Sequence, residues 1–296
     1  EVLGIVVESD QRWEEVKRHK AYQGLRRLSL REALDGPARL IAVETSIAEA
    51  PTTALRCLEA GKHLHLDKPG ALKHADFQKL RLLARDRELV VQMGYMLRYN
   101  PAFELLFRAV REGWLGEITS IQASMGKLAG PALRRELAGL PGGGMFELAC
   151  HLIDAVLTVL GPPEKIHAHS TPTQDDGVSD NQLAVLQYPR ATATIHCNHA
   201  DPFGAPHRFF HVIGTRGSLA ISPLESGKGT LSLTAAHGGY AKGRHDFALA
   251  PQAGRYHGEF TDLAQVLRGQ KKLAWDAAHD IRVHRAVLAA SGLQLD

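Results

Sequence analysis

Cysteine is scarce in this sequence: Cys57, Cys150 and Cys197 are its 3 thiols in 296 residues, far apart and with no CxxC pair. That excludes a disulfide framework and a thiolate zinc site, and it reads as buried thiols kept in a reducing, cytoplasmic compartment. Long apolar runs are also missing. None approaches the ~20 residues that span a bilayer, and the first residues lack the basic-then-apolar pattern of a secretory signal, so no membrane partner is expected. Nor is one sign of charge in excess: the formal net charge is +3, and Lys and Arg are scattered without the basic stripe a nucleic acid needs. What remains is 44% hydrophobic and 23% charged, with no internal repeat or low-complexity tract. This is the composition of a globular protein, not of a disordered, collagenous or coiled-coil chain. Its length suits two domains, at about one per 100–200 residues.

Through residue 97 the chain alternates short β-branched apolar runs with longer segments of helical period, the rhythm of βαβ units on a parallel sheet. Strands are predicted at residues 2–7, 40–44, 63–67 and 89–93. Ser29 and Glu32 have capping-box spacing, and Gly61 follows residues 48–60 where a left-handed C-terminal residue belongs. Residues 1–97 are therefore expected to form an open α/β domain. From Asn100-Pro101, a good N-cap and first-turn pair opening a helix to Gly113, the pattern changes. Apolar or alternating runs at 117–125, 165–169, 182–188, 191–198, 209–213, 218–221 and 231–234, separated by Gly/Pro turns, predict a large, open, mainly antiparallel sheet. With helices predicted at 145–159, 256–267 and 276–290, residues 98–296 read as an α+β domain.

Three clusters carry chemistry. The run GKHLHLDKPG, residues 61–70, ends a predicted parallel strand in Asp67-Lys68-Pro69, and ligands of open α/β sheets bind beyond the carboxyl ends of strands. Lys68 can reach a substrate from there; the alternative is an exposed turn lysine. The first strand ends in Glu8, where a carboxylate accepts hydrogen bonds from both adenosine-ribose hydroxyls of a dinucleotide and repels the extra phosphate of NADP. The alternative for Glu8 is an acid favourable to the dipole of a helix at 11–20. In PGGGMFELACHLID, residues 141–154, a glycine turn feeds a helix carrying Glu147 and His151 four residues apart, hence on one face, with Asp154 three further on. The flanking Met145, Phe146, Leu148, Ala149, Leu152 and Ile153 imply burial of this stripe rather than a surface ion pair. The pairs His63/His65 and His167/His169 and the loop acids Asp175, Asp176 and Asp180 lack a third ligand or an EF-hand spacing, so no metal site is read from them.

In order along the chain, Glu8 after its strand, AGKHxxxDKP, Arg98-Tyr99-Asn100-Pro101, EGWLGEI at 112–118, PGGGMFELxxHLID and HVIGTRGSL at 211–219 resemble the Gfo/Idh/MocA oxidoreductases, which include inositol dehydrogenases and glucose–fructose oxidoreductase. The resemblance implies a Rossmann-like domain followed by a substrate-binding domain whose open sheet often dimerises, hence a homodimer or homotetramer. Lys68 takes the place of the family's Glu-Lys-Pro lysine, which hydrogen-bonds the reacting hydroxyl, and Asp67 that of its acid. Glu147 and His151 fall on the family's Asp-x-x-x-His pair, with His151 as proton acceptor, and Arg98 and Tyr99 on a segment lining the cleft near the nicotinamide. The chain departs in three places. Thr45-Ser46-Ile47-Ala48-Glu49-Ala50 stands where the family has Thr-Pro-x-x-x-His, with Thr45 and Ser46 kept as candidate cofactor contacts. Glu147 adds a methylene to the usual Asp, a displacement of ~1 Å that matters for rate. The family's first strand and GxGxxG turn are not in the sequence. That strand is central in the order 3-2-1-4-5-6, so its removal splits the sheet; with Glu1 rather than Met at the start, the segment is expected upstream.

The activity implied is hydride transfer between NAD, rather than NADP, and a CH–OH or C=O carbon of a sugar, cyclitol or related polyol, without a metal. A lysine near pKa ~10.4 suits polarisation of the hydroxyl and a histidine near ~6.5 suits proton exchange at neutral pH. Two alternatives stay open: an NAD-dependent glycoside hydrolase that oxidises its substrate transiently, and a non-catalytic binding protein of the same fold.

Overall fold

The computed structural model describes residues 1–250 and 253–295. The first part alternates strand and helix as its periodicity predicts: β1 (Ile5–Val6), α1 (Asp10–Val16), β2 (Arg27–Leu28), α2 (Leu30–Asp35), β3 (Leu40–Val43), α3 (Ala50–Glu59), β4 (His63–Leu66), α4 (His74–Asp86) and β5 (Val91–Met93). Local chemistry sets the boundaries. The Ser29 hydroxyl accepts from the Glu32 amide at 3.2 Å and the Glu32 carboxylate accepts from the Ser29 amide at 2.7 Å, a complete capping box at the start of α2. Gly61 turns at φ +74° beyond α3, a left-handed conformation that costs an L side chain energy. The strands form two separate parallel sheets, β1-β2 and β3-β4-β5. This is the split implied for a Rossmann order without its first strand, and on the side away from β4 the edge of β3 has no strand partner among the described residues.

A 3-10 turn at Met96–Tyr99 leads into α5 (Pro101–Arg111), where the Asn100 side chain accepts from the Ala102 amide at 3.0 Å. There follow β6 (Ile118–Gly126), α6 (Pro131–Ala138), α7 (Gly143–Glu147), α8 (Cys150–Leu160), β7 (Lys165–Thr171), β8 (Asn181–Gln187), β9 (Thr192–Asn198), β10 (Phe209–Gly214), β11 (Gly217–Ile221), β12 (Lys228–Leu233) and β13 (Gly243–Ala248). The chain ends in α9 (His257–Leu267) and α10 (Ala277–Ala290). The eight strands form one sheet in the order β13-β12-β11-β10-β6-β9-β8-β7, antiparallel except for the parallel pair β6/β9. Its inner face buries Ile121, Ala123, Ala184, Leu186, Ala193, Ile195, Phe210 and Val212, against which α8 packs. The alternate positions, a row of His167, Val185, Thr194, Gln122 and His211 across five strands, face outward, and Leu183 and Phe209 on that side are exposed.

One helix was predicted over residues 145–159; two are found. The amides of Leu148 and Ala149 both donate to the Gly144 carbonyl, at 2.8 and 3.0 Å, so the turn widens and α8 restarts out of phase with α7. Glycine at 142–144 makes this possible. Gly142 and Gly143 have φ +79° and +55°, and a Cβ on Gly144 would lie 2.2 Å from the His199 ring.

The final helices fold back over the first sheets. His284 of α10 stacks on Phe77 of α4 with centroids 4.5 Å apart, its Nδ1 lies 3.1 Å from His74 Nδ1, and Asp280 pairs with Arg81 at 3.1 Å. From α9, the Glu259 carbonyl accepts from Gln92 of β5 at 3.2 Å. Helices from the end of the chain thus fasten the parallel strands to the large sheet. No helix among the described residues is long and apolar enough to cross a membrane.

Candidate active site

Strand β4 buries Leu64 and Leu66, and its carboxyl end delivers Asp67 and Lys68 to the surface of α7. There the Lys68 ammonium donates to the Glu147 carbonyl at 2.5 Å and to Glu147 Oε1 at 3.2 Å. Burial works against this ammonium. The carboxylates of Glu147 and Asp67 and the hydrogen bond to Glu147 work for it, and its pKa stands above the ordinary lysine value. Glu147 mirrors it: burial alone would raise its pKa, but Lys68 and then Lys127 bring it below the usual carboxylate value. At neutral pH the two are an ion pair. Burial raises Asp67 and pushes the Cys150 thiol up to about 12, so Cys150 is a neutral thiol and no nucleophile.

His151, in the first turn of α8, is 5% exposed. Burial, and after it the charge of Lys68, holds its pKa well below that of a free imidazole, so the ring is neutral at pH 7. Its Nδ1 is buried with no hydrogen-bond partner among the described residues, and so is Glu147 Oε2. Tyr95 packs edge-on to the ring at 5.9 Å. The arrangement sets a fixed positive charge and a neutral proton acceptor at one junction between a parallel strand and the helix pair on the large sheet.

The single helix expected to carry Glu147 and His151 is corrected to two: Glu147 ends α7 and His151 begins α8, and Lys68 binds the one and acts on the charge state of the other. Asp154 does not extend a stripe with them. It turns to Arg98, at 2.6 Å, and to His279, at 3.1 Å. Arg98 itself, read from the resemblance as lining the cleft, is 2% exposed and binds Asp280 at 2.7 Å as well as Asp154, stacked by Tyr95 and Trp275 at 4.9 and 5.0 Å. Tyr99 is buried too, donating to Asp262 at 3.0 Å and accepting from Gln92 at 2.9 Å. Arg98 and Tyr99 hold the helices beneath the site; tertiary ion pairing, invisible in the motif, turned them inward.

The other sequence-predicted residues lie at carboxyl ends of parallel strands. Glu8, beyond β1, is exposed and its side chain has no ion pair among the described residues, while its carbonyl accepts from Arg27 at 2.8 Å. Thr45 and Ser46, beyond β3, are exposed, and the Ser46 hydroxyl donates to Glu49 at 2.7 Å. Sequence reasoning missed Lys127 and His199. Lys127 follows β6, with its ammonium 3.7 Å from Glu147 Oε2; His199 follows β9, fully buried over Gly144, with burial bringing its pKa to about 4. Neither sits in a motif. Only the parallel pairing of β6 with β9 sets them side by side. No group of three or more metal-ligating side chains is found among the described residues.

Residues 103–220 match the family described as GFO/IDH/MocA C-terminal domain. The chain is 29% identical over 159 residues to trans-1,2-dihydrobenzene-1,2-diol dehydrogenase from Bos taurus, a match covering 53% of this chain and 47% of that one. It is 24% identical over 187 residues to the scyllo-inositol 2-dehydrogenase (NADP(+)) IolW of Bacillus subtilis, covering 62% and 52%. The matches thus span about half the length of these curated relatives. Among solved structures, levoglucosan dehydrogenase in complex with NADH and levoglucosan shares the fold, with a TM-score of 0.84 at 17% identity over 98% of this chain and 88% of that one.

Proposed function

On the premise that this chain carries a GFO/IDH/MocA C-terminal domain, we propose that it is an oxidoreductase transferring hydride between a nicotinamide dinucleotide and a hydroxyl-bearing carbon of a sugar, cyclitol or related polyol. One observation carries the reading: Lys68, from the carboxyl end of a parallel strand, is ion-paired with Glu147 beside a buried neutral imidazole, His151. The Lys68 ammonium donates to the substrate hydroxyl oxygen and stabilises the negative charge that develops there as the proton leaves. Neutral His151 accepts that proton. Glu147 keeps Lys68 charged and aimed.

The residues fit a dinucleotide. Glu8 offers an exposed carboxylate without an ion pair among the described residues, and Glu147 Oε2 and His151 Nδ1 are buried polar atoms that a ligand in the cleft would satisfy. A bound dinucleotide supplies the hydride acceptor, with Glu8 toward the adenosine ribose and Thr45, Ser46, Asp67 and Lys68 as further contacts. Glu8 favours NAD over NADP by repelling a 2′-phosphate. The relatives support the class, since one is a trans-1,2-dihydrobenzene-1,2-diol dehydrogenase, one a scyllo-inositol 2-dehydrogenase, and a solved neighbour holds NADH with levoglucosan.

Residues 1–97 form the dinucleotide side of this arrangement and residues 98–296 the substrate side, bound together by α9 and α10. The outward face of the eight-stranded sheet, with Leu183 and Phe209 exposed, suits pairing of copies into a homodimer or homotetramer. The three buried free cysteines suit a cytoplasmic setting. Calorimetry with NAD and NADP, followed by assay of NADH formation from a panel of polyols, tests the function. Binding of NAD and net NADH accumulation are expected; a chain that binds neither dinucleotide is no oxidoreductase of this kind.

A further inference from the structure

The ammonium of Lys127 is out of balance with its surroundings. It makes no hydrogen bond among the described residues, and its side chain is 37% exposed. Its nearest carboxylate oxygen, Glu147 Oε2, is 3.7 Å away, and the other oxygen of Glu147 already receives Lys68. Three N–H donors therefore stand at the edge of the site with one distant, shared acceptor.

Further cations lie along the same rim. Arg208, at the start of β10, donates through Nε to the carbonyl of Gly126, the residue before Lys127, at 2.9 Å, and binds Glu225 at 2.7 Å. Glu225 also receives Arg255, which is half exposed. Gly126 ties Arg208, and Glu225 ties Arg255, to the segment that carries Lys127. Lys127, Arg208 and Arg255 thus form a cationic cluster with Glu225 and a share of Glu147 between them. The nearby acids Asp176 and Asp180 are closed off by Arg134 and leave Lys127 unanswered.

We propose that Lys127, with Arg208 and Arg255 behind it, binds an anionic substituent of the substrate, so that the polyol handled here is a sugar acid or sugar phosphate rather than a neutral sugar. The inference rests on the reading of this site as a polyol site. A charge-assisted hydrogen bond from Lys127 favours an anionic substituent over a neutral analogue, which offers the ammonium only a neutral acceptor. Lys127 is then the specificity-determining residue, set beside Glu147 with its ammonium 3.7 Å from Oε2.

The test is calorimetric titration of the full chain, with and without NADH, using D-glucuronate, D-glucose 6-phosphate and D-glucose. At least one anion is expected to bind tenfold or more tightly than glucose, and which one distinguishes carboxylate from phosphate. Lys127→Met should erase that advantage, Lys127→Arg should keep most of it, and added salt should shrink it. Glucose binding as well as both anions, an advantage that survives in Lys127→Met, or no binding of any of the three overturns the inference. A turnover assay separates it from the reading beneath it: Lys127-dependent anion binding without any NADH formation from NAD removes the oxidoreductase and leaves the anion site.

Discussion

In the proposed reaction Lys68 and His151 would divide the work of moving a proton, and their surroundings rather than their identity set the division. Lys68 is held charged by two carboxylates, and His151 is held neutral by burial and by Lys68 itself. The sign of this shift has a kinetic consequence. A base must be unprotonated to act, and the His151 pKa lies below the ordinary imidazole value, so kcat/KM for oxidation is expected to stay level as pH falls through about 6.5 and to decline only at lower pH. An acid limb centred at or above that value would exclude His151 as the acceptor. Glu147→Gln removes the charge that supports Lys68; oxidation is expected to fall roughly tenfold or more, with a Lys68 pKa measurably lowered by NMR. The residues of DKP and of ELACHLID stand out in the sequence because their types and order are unusual among apolar neighbours, and the structure brings Lys68 and Glu147 together. Lys127 was not, because its partner is set by strand pairing between distant segments.

At the scale of elements, the α7–α8 break depends on a glycine. Gly144 has the His199 ring where a Cβ would sit, at 2.2 Å from Cε1 and 2.5 Å from Nδ1, and Cys197 behind it at 3.1 Å. Gly144→Ala must displace a fully buried ring, which costs about 1–3 kcal/mol and is expected to lower Tm by several degrees while weakening the hold on Lys68. An unchanged Tm would mean the ring has room to move. Periodicity predicts one helix there, since apolar residues run on at helical spacing through the break, and the close contact of Gly144 with His199 is a tertiary feature that spacing does not encode. Strand reading failed in a different way. β2 has two residues, too few for alternation, and β13, at the sheet edge, carries Arg244, His245 and Asp246, a polar run that an edge strand tolerates and that hides its strand character. The interior strands β6, β8, β9 and β10, with one face buried, were found within one or two residues.

The whole molecule is joined by α9 and α10, and the α10 joint is expected to respond to pH. His284 Nε2 faces the Ala71 carbonyl at 2.9 Å, and a carbonyl only accepts, so Nε2 carries the proton, Nδ1 is the acceptor, and His74 Nδ1 donates to it. Burial brings the pKa of His284 to about 4 and lowers that of His74. Folding thus favours the neutral rings, and below pH ~6.5 the unfolded chain takes up protons that the folded one refuses. The stability these rings contribute is present above that pH and is lost as pH falls toward about 4. Chemical denaturation at pH 7.5 and 5 is expected to show His284→Phe less pH-dependent than the parent over this range; equal pH dependence would contradict it. The buried pairs of Arg98 with Asp154 and Asp280 join the same parts. Arg98→Met leaves Asp154 with His279 and Asp280 with Arg81 as their remaining partners, and is expected to be clearly destabilising, by about 3 kcal/mol, in the same experiment.

Hydride chemistry at Lys68 is the central claim, and it is tested most directly by comparing the wild type with Lys68→Ala at saturating NAD on a polyol the wild type oxidises. The account predicts a loss of roughly a hundredfold or more in kcat with the Kd for NAD little changed. Near-normal turnover in Lys68→Ala, or no oxidation of any polyol by a wild type shown to bind NAD, would contradict it.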